Sequence, residues 1–390
     1  MSERRTLIVQ SDPGLLAEIR RYGKFDTSGC YQCGSCTISC DLVTDFVSFP
    51  RKTIRYALLG LRGPLAGSLE PWICHDCGDC SIICPRQAEP RISMMTVRRF
   101  LTAQYDWTGI SSRLLQSRAW YLGSLSFVAA LVLALILFYH LSYVGLPFAD
   151  FVAIPFGMEH MFPIMNYFTL TVLLLPLFLL VSRVFLIWRL TMGWEGRAPI
   201  PLSAYIAEAW TYVRHSVTHS LMRKCPDRGR WLGHWLLAAG TVLMLAVKLF
   251  GLQWFQTDSI YAFYHPQRWL GYIATAFILY GIGGIFAGRV RAKKEFYKET
   301  QFEDVIFPIL LLLTALSGIA VHIFRYTGFA FTCHFAYALH VIIATPMLLV
   351  EMPFGKWSHM IYRPLALYFE AVKERAGQQA PVEEAAGYAH

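Results

Sequence analysis

Cys30-Tyr31-Gln32-Cys33-Gly34-Ser35-Cys36-Thr37-Ile38-Ser39-Cys40 and Cys74-His75-Asp76-Cys77-Gly78-Asp79-Cys80-Ser81-Ile82-Ile83-Cys84-Pro85 are the two stretches around which this chain is organised. Both follow C-x2-C-x2-C-x3-C, the ligand run of two-cluster iron–sulfur domains. Three closely spaced thiolates wrap three corners of one cubane, and the fourth, three residues on, turns to the other cluster. That rule assigns Cys30, Cys33, Cys36 and Cys84 to one [4Fe-4S] cluster, and Cys74, Cys77, Cys80 and Cys40 to a second. Zinc is the competing reading, but zinc sites pair short Cys-x2-Cys units across longer gaps, which two identical four-cysteine runs fit poorly. Asp41 follows the first run where Pro85 follows the second; the proline shapes the turn and is not a ligand.

Outside these runs the composition points to a membrane. Of 390 residues, 55% are hydrophobic and only 16% charged, and the mean hydropathy is +0.41. An ordinary soluble protein is more polar than that. The net charge of +9 would suit a nucleic-acid binder, but its placement argues for a different cause. Two cysteines outside the runs, Cys225 and Cys333, read as unpaired thiols. Reduced, cluster-bearing cysteines imply a cytoplasmic or anaerobic setting. The apolar run Leu7–Val9 is too short for a signal peptide.

Along the chain, Pro13 marks a helix start near the N-terminus. Pro50–Gly60 has proline at a helix start and glycine at its end, with Ile54, Leu58 and Leu61 on one face. Ile92–Gln104 carries Val97, Phe100 and Leu101 on one face and Arg98 and Arg99 on another. After Gln116 the sequence turns apolar. Ala119–Leu141 is long enough to cross a bilayer core of roughly 30 Å at about 1.5 Å per residue. Five more such segments follow, at about Phe162–Trp188, Trp231–Trp254, Trp269–Ala287, Val305–Tyr326 and Phe329–Val350. An even count puts both chain ends on one side. The loops on that side, Arg183–Arg230 and Arg289–Lys298, and the tail with Lys356, Arg363, Lys373 and Arg375, are basic. The opposite loops, Ser142–Met161 and Phe255–Arg268, hold one basic residue, Arg268. The positive-inside rule therefore places both termini and the cysteine domain in the cytoplasm, in a multi-pass cytoplasmic-membrane protein. It also accounts for much of the positive charge without nucleic acid. Leu202–Met222 reads as an amphipathic surface helix, and the tail after Ala376 as disordered. The expected class is all-α: an α-helical dicluster domain at residues 1–105, a linker at 106–118, a six-helix transmembrane bundle at 119–365, and a cytoplasmic tail at 366–390.

Ionisable groups within spans are functional candidates. His234 and His359 lie at matching depth on the cytoplasmic side and suit trans-axial ligation of one haem. His340 lies in the outer part of the last span, roughly 28 Å from His359 by helical rise, with His322 or His334 as its partner for a second haem. His140, His160 and His265 read as interfacial residues, and His215 and His219 as polar-face residues rather than a ligand pair. Lys248 can polarise a quinone carbonyl, pair with a haem propionate, or snorkel outward. Glu351 suits a proton path or an ion pair with a nearby base. Gly281, Gly284 and Gly288 form a helix-packing face. No nucleotide, flavin or phosphate loop is present.

These motifs carry a resemblance. Cys30–Cys36, Pro50-Arg51-Lys52 and Trp72–Cys80 resemble the C subunit of heterodisulfide reductase. Residues 231–364, above all Met352-Pro353-Phe354-Gly355-Lys356-Trp357-Ser358-His359-Met360, resemble the cytochrome b subunit of respiratory nitrate reductase and the heterodisulfide reductase E subunit. A chain joining both modules is similar to the membrane-subunit (QmoC) family of the quinone-interacting membrane-bound oxidoreductase complex. The resemblance implies an α-helical ferredoxin fused to a cytochrome b bundle, with two [4Fe-4S] clusters and one or two haem b groups. It makes His234 and His359 the inner haem ligands and puts an outer ligand at or next to His340. The family's other outer ligand would fall on Met244, a departure with two readings: a different helix supplies the ligand, with His322 the candidate, or the outer haem is bound differently or absent. The implied role is a quinone-linked oxidoreductase subunit, passing electrons between the menaquinone or quinone pool and cytoplasmic flavoprotein subunits like heterodisulfide reductase A and adenylylsulfate reductase, in dissimilatory sulfur metabolism. The catalytic flavin would lie on those partners, and Arg51, Lys52 and Arg55 would face them. The alternatives are the membrane subunit of another heterodisulfide-reductase-like complex, or an anchor and redox sensor.

Overall fold

The computed structural model describes residues 10–27, 29–43, 48–145, 147, 149–150, 162–193, 200–224, 227–255, 257 and 259–379. Cys225, His160 and the end of the tail from residue 380 lie outside the described residues. Every regular element among the described residues is helical. The chain divides into two compact units: residues 1–116, 182–220 and 359–390 make one, and 117–181 and 221–358 the other. The cysteine unit thus takes in two segments that are distant in sequence, one of them ending the second membrane-length helix.

Seven helices of the cysteine unit position the site. They are α1 (Leu15–Arg20), α2 (Ser35–Ile38), α3 (Arg51–Leu58), α4 (Asp79–Ile82), α5 (Pro90–Gln104), α6 (Leu202–Thr218) and α7 (His359–Gln379). Of these, α1, α3 and α5 bury the apolar faces their sequences mark. Leu15, Ile19, Val97, Phe100 and Leu101 are fully enclosed, and Ile54 nearly so, while Leu58, expected beside Ile54, is exposed. Burying a side chain of that size is worth roughly 1.5–3 kcal/mol. Gly60 follows α3 with φ of +68°, and a Cβ there would collide with the Asp12 carbonyl. Asp12 N–H in turn donates to Gly60 C=O at 2.8 Å. Gly60→Ala should therefore cost about 1–3 kcal/mol, read as a lower midpoint for thermal bleaching of the protein's visible absorbance; an unchanged midpoint would remove this constraint.

The amphipathic segment forms α6. It pairs with α7, the last helix, through Tyr368 Oη–H to Tyr205 C=O at 3.0 Å and Arg375 to Glu208 at 2.6 Å. Its other face carries Leu202, Ile206, Trp210, Val213 and Val217, all exposed and about one helical turn apart. A stripe of that kind suits a membrane interface.

The described residues contain six helices long and apolar enough to cross a membrane: Arg118–Val144, Pro163–Met192, Arg228–Phe250, Pro266–Arg291, Phe302–Thr327 and Ala330–Phe354. They lie in the second unit, apart from the end of the second. The fourth packs closely on the third. A Cβ at Gly281 would sit 2.6 Å from Leu237 Cβ, and one at Gly240 2.7 Å from Ala274 C=O. The expected small-residue face is corrected accordingly. Gly281 belongs to it, Gly240 joins it from the facing helix, Gly284 has open space, and Gly288 instead makes room for the Tyr297 ring. Small residues matter here because lipid offers no hydrophobic gain on helix association, so close backbone approach must supply it.

Candidate metal centre

The two cysteine loops share one backbone design. Gln32 and Asp76, each two residues after the first cysteine, both have φ of +56°, and Gly34 and Gly78 follow at +89° and +101°. Each glycine starts a short helix, α2 or α4, and these two helices pack together. In each loop the two left-handed residues flank the middle cysteine, Cys33 or Cys77. Asp76 N–H donates to Cys74 Sγ at 3.4 Å, Ala88 N–H to Cys84 Sγ at 3.4 Å, and Gln32 Nε2–H to Cys30 Sγ at 3.5 Å.

The fourth cysteine crosses over. One cavity is lined by Cys30, Cys33 and Cys36 from the first run and by Cys84 from the second. The thiols with electrostatic influence on Cys36 are likewise Cys30, Cys33 and Cys84. For Cys80 they are Cys74, Cys77 and Cys40, with Cys36 the weakest. Among the described residues no three His, Cys, Asp or Glu side chains form a tight single-ion site; the thiols stand around a wider space. Their chemistry fits a cationic core. Burial raises Cys36 and Cys80, takes Cys40 up to about 11 and Cys77 to about 12. Half-buried thiolates in such numbers need a compensating positive charge, which bound metal supplies. Cys33 is the exception: exposed, and lowered by hydrogen bonds from Ser35.

Arginines clamp the second loop. Arg98, on a face of α5 apart from the apolar one, donates to the carbonyls of Pro71 and Cys74, and at 3.4 Å to that of Trp72. Arg99 donates to Tyr22 C=O at 2.7 Å. Arg91, 5% exposed, lies 3.2 Å from Asp76. From α7, Arg363 reaches His75 Nδ1 and Ile73 C=O. Sequence reasoning missed Arg91, Arg98, Arg363 and His75 as parts of this site. A basic residue two to four positions from an apolar helix face was the available signal for Arg98. Nothing local marked Arg363. Of the cationic face expected to meet partners, Arg51 and Arg55 are exposed, while Lys52 is tied to the buried Glu70 at 2.7 Å. Burial alone would lower the Lys52 ammonium, but the Glu70 charge and hydrogen bond together outweigh it and the net shift is upward.

The histidines distribute as follows. His234 lies in the second unit and His359 in the cysteine unit; both are half-buried. His340 Nδ1 faces the Thr314 carbonyl at 3.1 Å and the Ser317 hydroxyl at 3.0 Å. Only a protonated nitrogen can bond a carbonyl, so Nδ1 carries the hydrogen and Nε2 the lone pair, the arrangement of a metal-binding imidazole. Gly318 opens the space: a Cβ there would come within 3.3 Å of the His340 ring. Lys248 lies within electrostatic reach of His340. His322 differs. Its Nε2 faces Arg268 Nη2 at 3.0 Å and Tyr272 Oη at 3.1 Å, and its ring lies 4.6 Å from that of Tyr326. Its lone pair accepts from a guanidinium, a place that iron would have to take over. His215 Nδ1 meets Ser220 Oγ at 3.1 Å, which suits the polar-face reading. Glu351 is fully buried, and Tyr121 Oη–H donates to its Oε2. Its nearby base, Lys356, pairs with Asp304 instead.

Residues 26–88 match the model of a 4Fe-4S dicluster domain. The same region is 38% identical over 77 residues to a heterodisulfide reductase C-subunit-like protein of Archaeoglobus profundus, covering 20% of this chain and 41% of that one. It is 41% identical over 75 residues to the C2 subunit of the H2/formate:CoB-CoM heterodisulfide,ferredoxin reductase of Methanococcus maripaludis, covering 19% and 40%. The chain thus spans about two fifths of the length of the curated relatives it matches. No solved structure matches. Residues 26–88 are therefore a 4Fe-4S dicluster domain similar to the C subunit of heterodisulfide reductase, in a chain that also carries six membrane-length helices among its described residues.

Proposed function

We propose that this chain is a membrane electron-transfer subunit linking a quinone pool to cytoplasmic flavin and iron–sulfur subunits. The observation that carries the reading is the union, in one chain, of a cavity lined by Cys30, Cys33, Cys36 and Cys84 with six helices of membrane length among the described residues. Cys30, Cys33, Cys36 and Cys84 would hold one [4Fe-4S] cluster, and Cys74, Cys77, Cys80 and Cys40 the other. These groups supply one-electron carriers. The chain's part is to bury the thiolates, aim N–H groups at sulfur and exclude water, which together set the potential.

In the bundle, His234 and His359 would be the inner haem b ligands. His340, with Nδ1 anchored and Nε2 presented, is the outer candidate. His322 would have to release Arg268 and Tyr272 to serve beside it. Lys248 would hold a quinone carbonyl or haem propionate near His340. The cytoplasmic membrane, with both termini inside, is the proposed location. Partners like heterodisulfide reductase A and adenylylsulfate reductase, as in the quinone-interacting membrane-bound oxidoreductase complex, are the proposed acceptors or donors.

Reduced-minus-oxidised absorption of the purified full chain tests this. A b-type haem signal reduced by a menaquinol analogue is expected, with two cluster signals in low-temperature EPR. Clusters without haem would leave an anchor or sensor. His359→Ala should lose one haem and keep both clusters, counted by pyridine haemochrome and iron analysis; unchanged haem would remove His359 from the ligand set.

A further inference from the structure

The two thiol sets differ in how they are tied to the rest of the unit. Arg363 stands four residues after His359 on α7, hence on the same helix face. Its guanidinium donates to Nδ1 of His75, the neighbour of Cys74, and to Ile73 C=O at 3.4 Å on the other side of Cys74. His75 is buried, as is Cys74. Trp72, also buried, packs edge-on against Tyr362 at 5.1 Å between ring centroids, so α7 meets this loop at adjoining residues. The cavity of the first set is lined by residues 29–36, 51, 54, 84–86, 88 and 90, with none from α7 among the described residues. Its Cys33 is exposed, whereas in the second set Cys74 is buried and Cys40, Cys77 and Cys80 are half-buried.

We propose that the Arg363–His75 bridge makes the Cys74/Cys77/Cys80/Cys40 cluster the one that exchanges electrons with the haem on His359, and leaves the Cys30/Cys33/Cys36/Cys84 cluster as the terminal one, facing the partner protein. The inference rests on the haem and cluster reading above. The step is a one-electron transfer, haem iron oxidised and the second cluster reduced, with no bond made and no proton moved. Arg363 is a positioning residue: it joins the helix of the haem ligand to the cluster loop and places positive charge beside that cluster. A nearby cation stabilises the more negative, reduced cluster.

The test uses the full chain in detergent or nanodiscs. Cys77→Ser and Cys33→Ser first assign the two EPR signals. In Arg363→Gln the potential of the signal assigned by Cys77→Ser should fall, while the other stays. Reduction of both clusters by a menaquinol analogue should slow by about ten- to a hundredfold, with haem reduction unaffected. Arg363→Lys should restore most of the potential but less of the rate, since ammonium keeps the charge and loses the fork. His75→Ala is the second variant and should slow the same step. A folded Arg363→Gln protein with both potentials and the rate unchanged overturns the inference, as does a shift confined to the signal assigned by Cys33→Ser. Wild-type protein lacking haem or either cluster would instead overturn the function proposed above, and the inference with it.

Discussion

Cys84→Ser should abolish the cluster of the other cysteine run. Cys84 closes the second motif in sequence, yet it lines the cavity of Cys30, Cys33 and Cys36. Its Sγ is already oriented there by Ala88 N–H. Cys36 is influenced by Cys84, whereas Cys80 is influenced by Cys40. The variant should therefore lose or alter the EPR signal that Cys33→Ser also affects, and keep the one that Cys77→Ser affects. Cys40→Ser should do the reverse. The expected loss is about half of the cluster iron, because one of two cubanes loses a ligand. Co-loss of Cys84 and Cys77 signals, with the Cys33 signal intact, would mean that each run wraps its own cluster and would sink the crossed arrangement.

Arg183→Met should destabilise the cysteine unit by about 3–5 kcal/mol. Arg183 lies near the end of helix Phe162–Met192, and sequence logic counts it among the positive charges of a cytoplasmic loop. The structure gives it a different task. Its Nη2 is 2.8 Å from Asp106 Oδ1, and both side chains are 0% exposed. Burial alone would raise Asp106, but hydrogen bonds from Thr108 and Ser111 and the Arg183 charge hold it below the usual carboxylate range. Removing the arginine strands a buried carboxylate, and that uncompensated charge is the larger part of the cost. Adding Asp106→Asn should recover part of the loss, because a neutral amide leaves no buried charge, although its single acceptor oxygen can serve the donors of Thr108 or the Ser111 N–H but not both. A double-mutant cycle on thermal or denaturant unfolding measures this. Equal stability of wild type and Arg183→Met would show that Asp106 does not depend on the pair.

Much of this protein is legible without coordinates. Thiol spacing marks the dicluster domain because metal ligation constrains close neighbours in the chain. Apolar length marks the six helices because a bilayer core imposes a fixed span on any backbone. The helix ends at Pro50 and Gly60 follow from local dihedral rules, and the Gly60 φ of +68° bears this out. Arg98 lies on a face apart from Val97, Phe100 and Leu101, as the periodicity predicts, but periodicity gives the face a side chain lies on, not what approaches that face. The carbonyls of Pro71 and Cys74 that it meets come from a segment more than twenty residues away.

Sequence by itself determined which cysteines can bind iron, which segments can cross lipid, and which of the loops carry the positive charge. All three are local properties, set by spacing, length and composition. Tertiary structure alone decided that residues 182–220 and 359–390 complete the cysteine unit, that Arg183 is buried with Asp106, and that Arg363 grips the loop of Cys74. Those pairings join residues from tens to hundreds of positions apart, and chain closure over such distances leaves no periodic trace in the sequence for a reader to follow.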